Sequence, residues 1–137
     1  MSERRARRRP GENRERLIEA GLIEFGLFGY HGASTAAVAR RADVPQPHVY
    51  ASFRTKQELF LACFAAARAA IAAAPDEGLP ERSCRLMLQA YAASGDPELR
   101  EALSGDLAAL REALGERRLG ALLLEAARSL SEGSAAG

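Results

Sequence analysis

Between Glu12 and Phe28 the apolar residues Ile18, Leu22 and Phe25 recur at helical spacing, with Leu17 and Phe28 flanking them. That spacing gathers one stripe on one face of a helix. Gly29 predicts its end, because glycine enters the left-handed region at a helix C-terminus without steric cost. Tyr30–Ala33 reads as a short polar link. Ser34 then opens a second helix running to about Arg41, with Val38, Ala39 and Ala42 as its apolar members. Asp43-Val44-Pro45 breaks it. A third, short helix at about Gln46–Phe53 carries Val49, Tyr50 and Phe53, spaced like one buried face. Thr55-Lys56-Gln57-Glu58 has the form of a capping box, in which the Thr side chain and the Glu side chain each satisfy an orphan backbone N–H. It opens a long helix to about Ala74.

The rest of the chain keeps the same period. Pro75–Pro80 reads as a loop, and a helix is predicted at about Glu81–Ala93, stopping at Ser94-Gly95. Asp96-Pro97 is a start signal, a capping carboxylate followed by proline where its missing N–H costs nothing. Leu99, Leu103, Leu107, Leu110 and Leu114 form the next stripe. Gly115 and Gly120 predict a break, and Leu119–Leu130 a last Leu-rich helix before a frayed tail at Ser131–Gly137. No stretch alternates at strand period. The predicted fold class is all-α: a basic flexible arm at 1–11, free of any packed element, a three-helix head at 12–56 continuing into a helix at 56–74, and a small helical body at 75–137.

Charge sharpens this division. The first 56 residues hold 11 Arg/Lys against 6 Asp/Glu, and the remaining 81 hold 8 against 12, although the whole chain has a formal net charge of only +1. A basic head on an acidic body points to a polyanionic partner for the head. Cys63 and Cys84 are far apart, sit among apolar residues and match no zinc or disulfide framework, so buried free thiols are expected. The longest apolar stretch, Leu59–Ala74, contains Arg68 and is shorter than the roughly 20 residues a bilayer requires. The expectation is a cytoplasmic protein without a membrane span. With two histidines, no Cys/His cluster and no nucleophile elbow, neither an enzyme nor a bound metal or cofactor is expected. Gly26, Gly29 and Gly32 match no phosphate loop.

The segment Ser34–Phe53, STAAVARRADVPQPHVYASF, is the informative one. Two short helices joined by a tight turn cannot stand alone, and the helix from Glu12 supplies the support. This is the layout of a helix-turn-helix, in which the second short helix enters the major groove of duplex DNA and the first crosses the backbone. Gln46, Pro47, His48 and Ser52 offer donors, acceptors and small groups for that purpose, while Val49 and Phe53 face inward. Pro45 and Pro47 fall at or before the first turn, where backbone N–H groups are unpaired in any case. Pro47 presents a rigid apolar surface suited to a thymine methyl.

Residues 12–74 resemble the DNA-binding head of the tetracycline-repressor (TetR/AcrR) family. The resemblance is carried by Phe25, Gly29-Tyr30, Ser34, Val38-Ala39, Ala42, Val44, Tyr50, Phe53, Lys56 and Glu58-Leu59-Phe60 in that order and spacing. It implies a regulator of transcription, a repressor above all, that reads a palindromic operator in double-stranded DNA. By the same resemblance Ser34 and Thr35 would bond phosphates, and Gln46, Pro47 and His48 would sit at base edges. Tyr50 would reach a phosphate through its hydroxyl while its ring packs, Ser52 would contact the DNA backbone, and Lys56 a phosphate at the start of the fourth helix. The chain departs from the family pattern at Ala33, where Thr is usual, at Asp43, where glycine is common, and at Pro45, where a Ser cap is usual.

Arg40 and Arg41 stay open between phosphate contact and a solvated face, as does the Arg4–Arg9 arm between phosphate tracking and an unstructured start. His31 reads as an ordinary loop residue. The resemblance further implies a homodimer and a body that binds a small apolar effector, in a body shorter than the family usually has. Leu119, Leu122, Leu123, Leu124 and Leu130 exceed what one core face requires, which leaves intramolecular core and partner surface as readings. The alternative function is a helical protein-interaction module that has kept the fold and lost sequence-specific DNA reading.

Overall fold

The computed structural model describes residues 8–75 and 78–133. The helices are α1 (Glu12–Gly32), α2 (Thr35–Ala42), α3 (Gln46–Ser52), α4 (Lys56–Ala73), α5 (Glu81–Ala93) and α6 (Pro97–Ser131), with no strand among the described residues. The expected all-α class is what the molecule adopts. Helices α1–α3 pack on one another as the head, and α5 lies against α1, α4 and α6.

The caps expected from sequence set several boundaries. The Ala37 N–H donates to Ser34 Oγ at 3.0 Å, and the Glu58 N–H donates to Thr55 Oγ1 at 3.1 Å. The returning half of the second cap falls one residue early, with the Arg54 N–H donating to Glu58 Oε1 at 3.4 Å. Asp96 caps α6 through the Glu98 N–H at 2.9 Å. Each such cap satisfies a donor that would otherwise be orphaned, and its loss costs about 1 kcal/mol.

Two glycines mark where the helical runs bend. Gly29 has φ 80° and ψ 172°, and one more turn continues to Gly32. The break predicted at Gly29 is therefore present, but it is not the end of the run. A Cβ at this position would meet Gln89 Oε1 at 3.1 Å, so both the backbone and the space favour glycine. Gly115, at φ 82° and ψ 157°, divides α6 into 97–114 and 116–131. Gly120 does not break the helix, contrary to the sequence expectation; its φ is not positive, and one helical glycine costs only about 1 kcal/mol.

The residues after Gly29 are not a polar link. Tyr30 is 6% and Ala33 3% exposed. The Tyr30 ring lies edge-on to Phe60, centroids 5.1 Å apart, and Phe60 is edge-on to Phe25 at 5.1 Å. This aromatic trio ties both sides of the Gly29 bend to α4. Aromatic pairs of this kind add about 0.5–1.5 kcal/mol beyond the area they bury.

The body is built around α5. Ser83, Cys84, Arg85, Leu86 and Met87 are consecutive and all buried, so this helix has no wet face over that stretch. The buried Arg85 donates from Nε to Ser129 Oγ at 2.9 Å and from Nη2 to Glu81 Oε1 at 2.5 Å, while the Ser129 hydroxyl donates to the same Glu81 oxygen at 2.7 Å. The triad fastens the end of α6 to the start of α5 and leaves no polar member of it unsatisfied. In α6, Leu119, Leu122 and Ala126 are buried, Leu123 is packed at the core's margin, and Leu124 is 70% exposed. Both cysteines are buried free thiols.

Candidate nucleic-acid interface

Helix α3 has only seven residues, too few to hold itself together in water. Its place is fixed by Val49, fully buried, and by Phe53 at its C-terminal cap, 4% exposed. The Arg14 guanidinium lies 5.2 Å from the Phe53 ring centroid and covers that anchor from α1. With the inward side fixed, Gln46, Pro47 and His48 are left exposed on the first turn. Tyr50 is also exposed, at 51%. Counting Tyr50 with Val49 and Phe53 as one buried face is therefore corrected. One position past Val49 is about 100° around the helix, which carries Tyr50 away from the core.

The other candidate residues lie apart from this tip. Ser34 is exposed with its Oγ already accepting the Ala37 N–H, which leaves the hydroxyl hydrogen free to be donated. Thr35 and Ser52 are half-buried. Lys56 Nζ sits 4.8 Å from the centroid of the Tyr30 ring. Burial lowers its pKa, with the Glu98 carboxylate working in the opposite sense. The Tyr30 hydroxyl donates to Glu98 Oε1 at 3.3 Å. Burial, then the charge and the hydrogen bond of Glu98, push the Tyr30 pKa up.

This cluster continues to His31, whose Nε2 is 2.7 Å from Asp96 Oδ2. His31 is thus a contact between the end of α1 and the cap of α6, not an ordinary loop residue. The backbone hydrogen bond from Glu98, followed by the bond to His31, lowers the Asp96 pKa. No local sequence signal marks the pairing, because the partners are 65 positions apart.

The turn between α2 and α3 holds a second group, in which sequence reasoning noted Asp43 and missed its arginine partners. Asp43 caps α2 in the left-handed region, φ 58° and ψ 47°, where glycine or asparagine is more usual. Arg16 Nε donates to the Ala42 carbonyl at 3.0 Å, and Arg8 Nη2 donates to the Asp43 carbonyl at 2.8 Å. These arginines satisfy acceptors that the end of α2 leaves open. Arg8 also donates to Asn13 Oδ1 at 2.7 Å, so the last part of the basic arm is packed, contrary to the expectation of a free arm. Arg4, Arg5 and Arg7 lie outside the described residues. Of the two arginines left open between phosphate and solvent, Arg41 pairs with the buried Glu24 at 2.9 Å. Arg40 is exposed and lines a cleft of about 560 Å³ with Asp43 and Gln46.

A small exposed helix with a polar tip, held by apolar anchors behind a cation-lined turn, is the geometry of a helix-turn-helix head. Residues 17–63, which run from within α1 into α4, match the family model of bacterial regulatory proteins of the tetR family. The match covers the head and the first part of α4, and over that stretch the chain is similar to the tetR family. Over 49 residues it is 35% identical to the uncharacterized HTH-type transcriptional regulator YdgC of Bacillus subtilis (strain 168), an alignment covering 36% of this chain and 25% of that relative. The chain thus spans about a quarter of the length of the curated relative it matches. A solved TetR-family regulator from Streptomyces coelicolor A3 is 27% identical, with 92% of this chain and 81% of that chain covered at a TM-score of 0.43. No helix among the described residues is long and apolar enough to cross a membrane.

Proposed function

We propose that the chain is a transcriptional regulator that binds duplex DNA through α3 and acts as a repressor at a palindromic operator. The observation that carries this reading is the exposed Gln46-Pro47-His48 tip on a helix anchored only by Val49 and Phe53, inside the stretch that matches the family model. Gln46 and His48 offer hydrogen bonds to base edges and Pro47 an apolar contact to a thymine methyl. Ser34, Thr35, Tyr50 and Ser52 hold the backbone on either side. Lys56 joins them by exchanging the Tyr30 ring for a phosphate. Such contacts position the head, and the base-edge contacts choose the sequence.

Two heads spaced a helical turn apart read a palindrome, so the working form is a homodimer. The exposed Leu124 beside the half-covered Leu123 supports a partner surface on α6. A small apolar effector has room in the open groove of about 430 Å³ between α4 and α6, where Leu61, Phe64 and Ala102 supply apolar wall and the Arg68–Asp106 ion pair bridges at 3.0 Å. That volume exceeds the roughly 300 Å³ at which small-molecule pockets begin.

The test is selection from a random duplex library with the full chain, followed by gel shifts on the enriched sequence. A palindromic consensus is the expected result. Enrichment of no sequence over bulk duplex at moderate salt overturns operator reading and leaves the interaction-module alternative.

A further inference from the structure

We propose that Asp43 is an affinity-limiting counter-charge built into the helix-turn-helix turn, cancelling cations that the turn would otherwise present to phosphate. The inference rests on the DNA-binding reading above and deepens it by naming a residue that sets the strength of that binding. Arg8 and Arg16 are positioned by backbone carbonyls, at 2.8 and 3.0 Å, and these bonds do not depend on the Asp43 side chain. The carboxylate approaches the same two guanidiniums less closely, at 3.8 Å from Arg8 and 4.0 Å from Arg16. Its effect on them is therefore mainly on charge and only slightly on geometry.

The carboxylate sits where that charge matters. It is 56% exposed and lines the same cleft as Arg40 and the base-reading candidate Gln46. Glu12 is a second carboxylate near Arg8, at 3.6 Å, so this arginine is already part-neutralised. Removing the Asp43 charge alone raises the local net charge by one unit while both arginines stay hydrogen-bonded to the turn. One further effective phosphate contact steepens the dependence of log affinity on log salt by about 0.9.

The experiment measures binding of a labelled mixed-sequence B-DNA duplex by fluorescence anisotropy across a salt series, for the full-length wild type, Asp43→Asn and Asp43→Gly. Asparagine and glycine both accept the left-handed backbone, so each preserves the turn, and the glycine variant carries the test if the asparagine variant does not fold. Both variants should bind roughly five- to tenfold more tightly at about 0.1 M salt, with the steeper slope. Adding Arg8→Ala to Asp43→Asn should return the slope to the wild-type value. A role for Asp43 confined to capping α2 would shift the melting temperature without changing the slope. Wild-type binding with unchanged slopes in both variants overturns the inference and leaves the DNA-binding reading standing. No binding of duplex by any of the proteins, even at the lowest salt, overturns both.

Discussion

Helices α3 and α5 are both short, and they are opposites. In α3 one residue of seven is buried, and the side chains of its first turn are exposed. In α5 seven of thirteen are buried, five of them consecutive, including an arginine and a serine. The first helix keeps its place through Val49 and the neighbouring Phe53, which frees its surface for chemistry. The second gives its surface to α1, α4 and α6 and has little left to present. The contrast teaches that in so small a chain the surface proposed to read DNA and the structural centre are carried by different elements. Substitutions should therefore separate into those that change binding and those that change folding.

The largest effect is expected in α5. Leu86 is fully buried, and Leu86→Ala should cost about 2–5 kcal/mol, combining lost transfer energy with an unfilled cavity. Urea denaturation followed by circular dichroism measures this. A loss under about 1 kcal/mol would mean that the body collapses around the gap, and that α5 is not the centre it is taken to be.

Gln46→Ala and His48→Ala should show the reverse. Each should weaken recognition of the selected operator by about 1–3 kcal/mol and relax specificity at one base pair. The same variants should change unfolding free energy by no more than about 0.5 kcal/mol, because they are exposed surface substitutions. Equal losses in affinity and stability would break the division between the two helices.

The smallest effect concerns Cys63, at the boundary between head and body. Burial, reinforced by the Glu19 charge, pushes its thiol pKa from the ordinary 9.0 up to about 12. The unfolded chain releases this proton near pH 9, whereas the folded chain holds it, so the group lowers stability progressively from about pH 9 towards pH 12. Below that window it has no pH-dependent effect. In the native protein at pH 8, Cys63 should react with a thiol reagent only at the rate of opening, and denaturant should release it. Prompt native labelling would place Cys63 outside the core that joins the head to α5.

Much of the architecture was legible in the sequence because its signals are local. Period-3.6 apolar spacing located the helices, and Ser34, Thr55 and Asp96 marked helix starts where their oxygens indeed accept backbone N–H groups. The exposed Gln46-Pro47-His48 tip could be anticipated from its place after a turn. Tyr50 was misread as inward because a short helix gives few positions from which to judge a face. Gly120 was misread as a break because glycine weakens a helix without ending one. Tyr30 and His31 were misread as link residues, since their partners Phe60, Glu98 and Asp96 come from later helices.

By itself the sequence determined the all-α class, the order of helices and the segment that forms the helix-turn-helix, because hydrophobic period, caps and turn residues act over a few positions. Only the tertiary structure decided which charges stand alone and which are spoken for. Arg8 and Arg16 meet Asp43 across 35 and 27 positions, Arg85 meets Ser129 across 44, and Lys56 comes to rest over the Tyr30 ring. Electrostatic and hydrogen-bond partners are chosen by proximity in space, and no local pattern along the chain encodes a contact that packing alone creates.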